Sequence, residues 1–73
     1  MNSKEYHNQL QELEKQADKL IAEKFYPVQR MIDQTRARII QLERYEQEEN
    51  QLYIMKIQAI VEVGIDNILL ALE

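Results

Sequence analysis

The chain has 73 residues, of which 45% are hydrophobic and 30% charged, and its formal net charge at pH 7 is −4. This composition is typical of a folded helical protein and far from that of a disordered tail. The acidic excess disfavours nucleic-acid phosphates and anionic lipid as primary partners. The absence of cysteine excludes a disulfide framework, a thiolate nucleophile and a cysteine-based zinc site.

The length indicates one helical domain over residues 1–73 that gains stability from oligomerisation. A core of this size supplies only about 3–5 kcal/mol, and the chain has no disulfides to add to it. The N-terminal sequence Met-Asn-Ser-Lys-Glu lacks the basic and apolar regions of a secretory signal. We therefore expect a cytoplasmic protein that associates with its own copies.

The first predicted helix covers residues 3–25. Asn2 and Glu5 have the spacing of a capping box, in which two side chains satisfy the free backbone N–H groups at a helix start. Apolar residues then recur with a 4-3-4-3 spacing, which forms one apolar seam along a helix. The residues of this first seam are Tyr6, Leu10, Leu13, Ala17 and Leu20.

A second seam follows after a shift of one residue and passes through Pro27. Proline inside a helix loses a hydrogen bond and costs about 3 kcal/mol, but no residue that favours a loop lies nearby. We therefore predict either a sharp kink at Pro27 or a short break, with Pro27 opening a helix over residues 27–48. The residues of the second seam are Ile21, Phe25, Val28, Ile32, Thr35, Ile39 and Leu42.

The third predicted helix covers residues 52–72 and is apolar on two sides. A polar stretch at residues 45–51 precedes it, and Asn50, which readily adopts a left-handed conformation, predicts the break there. One helical hairpin covers only one side of a helix, so we expect the broad apolar arc to form a homo-oligomer interface. The predicted interface residues are Tyr53, Ile57, Ile60, Val61, Gly64, Ile65, Ile68 and Leu72. A second strip on the same helix contains Leu52, Ala59, Val63 and Leu70.

Two alternatives exist for this apolar segment. Its 21 residues could span a membrane, but five polar side chains spread through it argue against a membrane partner. Residues 52–63 also alternate as in a β-strand, which would have to pair with a strand of another copy. A helix agrees better with the rest of the chain.

No residue pattern indicates catalysis, a metal site or a cofactor. His7, the single histidine, has no second ligand three or four residues away, and we expect it to be solvated. Glu46 and Glu49 share a helix face, but the Glu-x-x-His of carboxylate-bridged metal sites is missing. One serine and one threonine, with no base placed near them, provide no nucleophile. The sequence predicts a non-enzymatic protein.

The middle segment contains every arginine of the chain and suggests the alternative of a small nucleic-acid-associated regulator. At about 100° per residue the arginines point in different directions, and nearby carboxylates can pair with them. Nucleic acid is therefore not expected as a primary partner. The arginines are Arg30, Arg36, Arg38 and Arg44, and the carboxylates are Asp33, Glu43 and Glu48.

The sequence thus predicts an all-α helical hairpin, with a long N-terminal arm kinked or broken at Pro27, that assembles into a homo-oligomeric bundle. We expect an adaptor, scaffold or small inhibitor that binds an unidentified target protein through an amphipathic helix. Aromatic residues and methionine are favoured at such adaptable interfaces. The candidate partner-binding residues are Tyr6, Leu10, Leu13, Phe25, Tyr26, Met31 and Tyr45.

Overall fold

The computed structural model describes residues 3–20 and 22–73, and the regular structure in these ranges is entirely helical. Helix α1 is Ser3–Ala17, α2 is Ala22–Gln47 and α3 is Gln51–Leu72. The predicted all-α class is confirmed, and residues 52–63 belong to a helix instead of a strand. The molecule measures 41 × 16 × 15 Å, close to the length of about 39 Å expected for a helix of the size of α2.

Each helix packs against the other two, and consecutive helices run in opposite directions. The direction is evident from contacts in which residue numbers rise on one helix and fall on the next. Between α1 and α2 these contacts join His7 to Glu43 and Glu14 to Arg36. Between α2 and α3, Gly64 lies against Thr35, and the ring of Tyr53 stacks on that of Tyr45.

A single core fills the space between the three helices. Both predicted seams face it, and Thr35 is buried with the apolar residues of α2. Full burial of one isoleucine or leucine contributes about 1.5–3 kcal/mol. The buried apolar residues are Tyr6, Leu10, Leu13 and Ala17 of α1, Val28, Ile32, Ile39 and Leu42 of α2, and Ile57, Val61, Ile65 and Ile68 of α3.

The first break lies before Pro27, so the predicted helix over residues 3–25 is wrong. Helix α1 ends at Ala17, and a turn closes with the N–H of Leu20 donating to the carbonyl of Ala17 at 3.0 Å. Pro27 is the sixth residue of α2. A proline there removes one helical hydrogen bond, to the carbonyl of Glu23, which is an exposed residue that water can reach. Asn2 and Ile21, used in the predictions of the helix cap and the second seam, lie outside the described residues.

The second break lies where the polar stretch predicts it, but Glu49 and not Asn50 adopts the left-handed conformation. Glu49 has φ 55°, whereas Asn50 has φ −91° and ψ 86°. The N–H of Asn50 donates to the carbonyl of Tyr45 at 3.1 Å, and that of Glu49 to the carbonyl of Glu46 at 3.2 Å. These two bonds form a Schellman motif, which usually has glycine at the position of Glu49.

Candidate protein-interaction surface

The structure divides the predicted oligomer interface of α3 between the core and the surface. Half of its residues pack inside the single chain, where a second copy cannot reach them while the three helices stay together. Gly64 and Leu72 are half-buried, and Tyr53 and Ile60 are exposed. The four buried residues are Ile57, Val61, Ile65 and Ile68.

The opposite face of α3 is exposed and apolar. Among the described residues, nine large hydrophobic side chains are exposed, and seven of them belong to α3. Leu52, Val63 and Leu70 are 77%, 59% and 66% exposed. Together with three neighbours they lie within a band about 80° wide on the helix surface. We call this band the outer stripe: Leu52, Lys56, Ala59, Val63, Asp66 and Leu70, all exposed.

A shallow groove between α2 and α3 adjoins the outer stripe, and no residue of α1 lines it. The two helices approach closely at its floor, where a Cβ atom added to Gly64 would lie 2.6 Å from Oγ1 of Thr35. Gly64 therefore serves the packing of α3 on α2 within one chain. The groove is lined by Gln34, Thr35, Ala37, Arg38 and Gln41 of α2 and by Ile60, Val63, Gly64 and Asn67 of α3.

The apolar seam of α1 is not available to a partner. Tyr6, Leu10 and Leu13, which we predicted as partner-binding residues, are buried in the core. Helix α1 is also held by polar contacts at both ends, since Glu14 pairs with Arg36 and Nε2 of His7 lies 2.5 Å from Oε1 of Glu43. His7, which we expected to be solvated, is thus partly exposed and also contacts Glu43.

Tyr6 links α1 to α3 through its hydroxyl group, which donates a hydrogen bond to Oε1 of Glu62 at 3.1 Å. Burial, and then the hydrogen bond and the negative charge of Glu62, raise the pKa of Tyr6 to about 12. A buried phenol with a carboxylate acceptor is a structural contact, and it leaves no free group for chemistry at this position.

The remaining partner-binding candidates differ in their exposure. Tyr45 is half-buried and stacks on Tyr53, with ring centroids 4.8 Å apart and an angle of 13° between the rings. Phe25 is also half-buried and contacts the ring of Tyr26 edge-on at 6.1 Å. Tyr26 is 72% exposed, and with the half-buried Met31 it lines a shallow concavity on α2. Tyr26 is thus the candidate that a partner can reach most directly, and Met31 lies beside it in the same concavity.

The arginines of α2 do not form one unopposed basic surface. Arg36 pairs with Glu14 and lies 3.5 Å from Asp33, as the helical spacing predicts for the second pair. Arg44 lies 3.5 Å from Glu48, also as predicted, whereas Glu43 pairs with His7. Nη1 of Arg38 donates a hydrogen bond to Oε1 of Gln41 at 3.1 Å. Arg38 lines the groove, and Arg30 lies at the concavity beside Tyr26.

The part of the chain that the structure describes contains no group of three or more histidine, cysteine or acidic side chains placed to hold a metal ion. None of the described helices is both long enough and apolar enough to cross a membrane. Comparison with protein-family models, curated proteins and solved structures finds no match. Inference about function therefore depends mainly on the exposed side chains of the described residues.

Proposed function

We propose that the chain is a non-enzymatic protein-interaction module that acts as a homo-oligomer and binds a target protein. The observation that supports this proposal is the cluster of exposed hydrophobic side chains on α3, which includes Leu52, Val63 and Leu70 of the outer stripe. A cluster of exposed hydrophobic side chains on a small domain is typical of a binding site. Each square ångström of apolar surface removed from water contributes about 25 cal/mol, so covering this face favours association.

The proposal assigns self-association and target binding to two different surfaces. The outer face of α3 serves association between copies, because it is the largest cluster of exposed hydrophobic side chains among the described residues. The concavity around Tyr26 and Met31 serves the target, because tyrosine and methionine suit adaptable interfaces. A module with both would act as an adaptor, a scaffold or a small inhibitor. We place it in the cytoplasm, since a chain without cysteine gains no disulfide from an oxidising compartment.

The alternative of a nucleic-acid-associated regulator receives little support from the charges. Arg36 and Arg44 are engaged with carboxylates, and the formal net charge is −4. A binding site for phosphates needs several cations on one face that are free of acidic neighbours. We therefore keep protein, not nucleic acid, as the proposed partner class.

Sedimentation equilibrium of the full chain tests the association. We expect the mass to rise above 8.8 kDa as the concentration passes through the micromolar range. A mass of 8.8 kDa at every concentration would contradict the homo-oligomer.

Affinity capture from the native cells, with the wild-type chain and Y26A side by side, tests the target site. Tyr26 is exposed and outside the core, so we expect Y26A to keep the fold and the oligomer mass but to lose the captured protein. Equal capture by both chains would contradict a role of Tyr26.

A further inference from the structure

The spacing of the outer stripe is that of a helix-pairing seam. Its members follow one another at intervals of 4, 3, 4, 3 and 4 residues from Leu52 to Leu70. This is the interval pattern with which two helices interlock their side chains along a common seam. Helix α1 and the seam of α2 use the same intervals, and both are covered within the chain. The outer stripe is the repeat of this kind that stays exposed among the described residues.

The stripe is also symmetric about its middle. Leu52 and Leu70 are each nine residues from position 61, Lys56 and Asp66 are each five away, and Ala59 and Val63 are each two away. An antiparallel copy of α3, related by a two-fold axis at the level of position 61, would place each residue opposite its counterpart. Leucine would then face leucine, the small alanine would face valine, and lysine would face aspartate.

The charges of the stripe distinguish a second copy from other occupants. Lys56 is the only basic residue of α3, and neither it nor Asp66 forms an ion pair with another described residue. An antiparallel copy would supply both missing partners, whereas a parallel copy would place like charges opposite one another. Charged residues within a seam lower its stability, but they fix its register and direction.

We propose that two copies of the chain associate through antiparallel pairing of their outer stripes, with Lys56 of each copy opposite Asp66 of the other. This inference rests on the proposed function and identifies its self-association surface. A closed dimer with two-fold symmetry is the commonest homo-oligomer, and it uses the same patch on both subunits. Anionic lipid is a poorer occupant, because Glu62 and Asp66 outnumber the single lysine on the exposed side of α3.

Charge reversal tests the pairing by sedimentation equilibrium. K56E and D66K each place like charges opposite one another twice per dimer, so we expect the dimer Kd to rise about tenfold or more in either variant. The double variant K56E/D66K, and an equimolar mixture of the two single variants, restore opposite charges and should regain the wild-type Kd. K24E makes the same change of charge on an exposed lysine of α2 and should leave the Kd unchanged.

Cysteine pairing tests the register, since the chain has no native cysteine. Leu52 and Leu70 are about 27 Å apart along one helix, but they face one another across the proposed interface. Disulfide formation requires the two Cα atoms to lie within about 7 Å. We expect an oxidised mixture of L52C and L70C to form the cross-linked dimer, whereas either variant alone should not.

The outcomes separate this inference from the proposed function. The antiparallel pairing is wrong if the wild-type chain dimerises but neither charge reversal raises the dimer Kd. It is also wrong if L52C cross-links with itself. In both cases the proposal that the chain self-associates would still hold. If the outer stripe instead binds only a helix of the captured target, the wild-type chain stays at 8.8 kDa and V63D loses capture. That result would overturn the pairing and also the homo-oligomer, while a protein-interaction module would remain.

Discussion

Helices α1 and α3 both have residues spaced at 4-3 intervals along one face, but α3 repeats the intervals on a second face, where four of the six residues are apolar. In α1 the seam is buried and the other side is polar, so the sequence alone predicts which face turns inward. In α3 both strips are apolar, and only the one with Val61 and Ile68 enters the core. The apolar character of a helix face therefore predicts its burial only where the opposite face of the helix is polar.

Two features of the sequence, a glycine on one side and two charged residues on the other, favour the observed orientation of α3. Gly64 lies on the side of α2 and allows the close approach to Thr35. Lys56 and Asp66 lie on the outer stripe, and turning that stripe inward would bury two charges with no partner in the chain. These two charges are the sequence signal that marks the outer stripe as the solvent-facing side.

Val61 and Val63 give the largest expected difference between the two faces, because the same residue type lies on each. V61D puts an unpaired carboxylate into the core, which costs about 3–5 kcal/mol and should unfold the chain. V63D puts the same group on the outer stripe, so the chain should stay helical but lose its concentration-dependent association. Circular dichroism and sedimentation equilibrium measure the two effects. Unfolding of both variants would show that the outer stripe is needed for folding of the single chain.

The pH dependence of stability tests the contact that Tyr6 makes between α1 and Glu62 of α3. The pKa of its hydroxyl rises from 10.0 to about 12 in the folded chain. The native state therefore holds the proton more tightly, and the stabilisation is complete below pH 10 and lost as the pH rises through 12. Its upper limit is about 3 kcal/mol.

Urea unfolding between pH 9 and pH 12 measures this loss. Y6F lacks the titrating hydroxyl, so its stability should fall less steeply than that of the wild-type chain, while Y26F, changed at an exposed ring, should follow the wild type. Parallel curves for the wild type and Y6F would contradict the assigned contact with Glu62.

Substitution of Pro27 tests whether α2, the helix on which both α1 and α3 pack, is continuous through this residue. Because Pro27 lies inside α2, P27A should restore the hydrogen bond to the carbonyl of Glu23 and relieve a clash, raising the unfolding free energy by up to about 3 kcal/mol. Chemical denaturation and helicity by circular dichroism measure the gain. A neutral or destabilising P27A would instead fit a helix that begins at Pro27.

Much of the fold could be predicted from the sequence, but the position of the first break could not be read from the proline. The seams of α1 and α2 predict the buried faces of both helices, and the polar stretch predicts the turn at residues 48–50. The break at residues 18–20 coincides with the shift of one residue between the seams, after Leu20. A shift of register turns the apolar face away from its neighbour unless the chain bends, whereas a proline early in a helix loses one hydrogen bond.

The candidate site was predicted less well, because its position depends on contacts between helices. Tyr6, Leu10 and Leu13 belong to a regular seam, and only the packing of α1 on α2 and α3 shows that no partner can reach them. The ring of Tyr45 stacks on that of Tyr53, a contact between α2 and α3 that the sequence alone does not reveal. Exposure of Tyr26 likewise follows from the place of α2 in the bundle.

Substitution of Gly64, which lies where α3 packs on α2, should have a smaller effect. In a helix G64A should gain about 1 kcal/mol of helix propensity, but the added Cβ lies 2.6 Å from Oγ1 of Thr35 and overpacking costs about 1–3 kcal/mol. We expect a net loss of up to about 2 kcal/mol. In a T35A background the clash is absent, so the same change should stabilise the chain. Denaturant unfolding of the four chains measures both effects, and equal effects in the two backgrounds would disprove the contact.

Glu49 gives the smallest expected effect, at the turn that sets α3 against α2. An L-residue in the left-handed conformation is strained, and glycine is not, so E49G should stabilise the chain by about 0.5–1 kcal/mol despite the greater freedom of glycine in the unfolded state. N50G changes a neighbour at φ −91°, where glycine relieves nothing, and it should destabilise by up to about 1 kcal/mol.

Part of the gain in E49G could come from removing a negative charge near the C-terminal end of α2, where the helix dipole disfavours it. E49Q removes the charge but keeps the Cβ atom, so the difference between E49G and E49Q isolates the backbone conformation. Thermal unfolding of the three variants beside the wild type measures these changes. If E49G and N50G shift Tm in the same direction, the left-handed conformation of Glu49 does not control the turn. The orientation of α3 must then depend on the residues that it packs into the core.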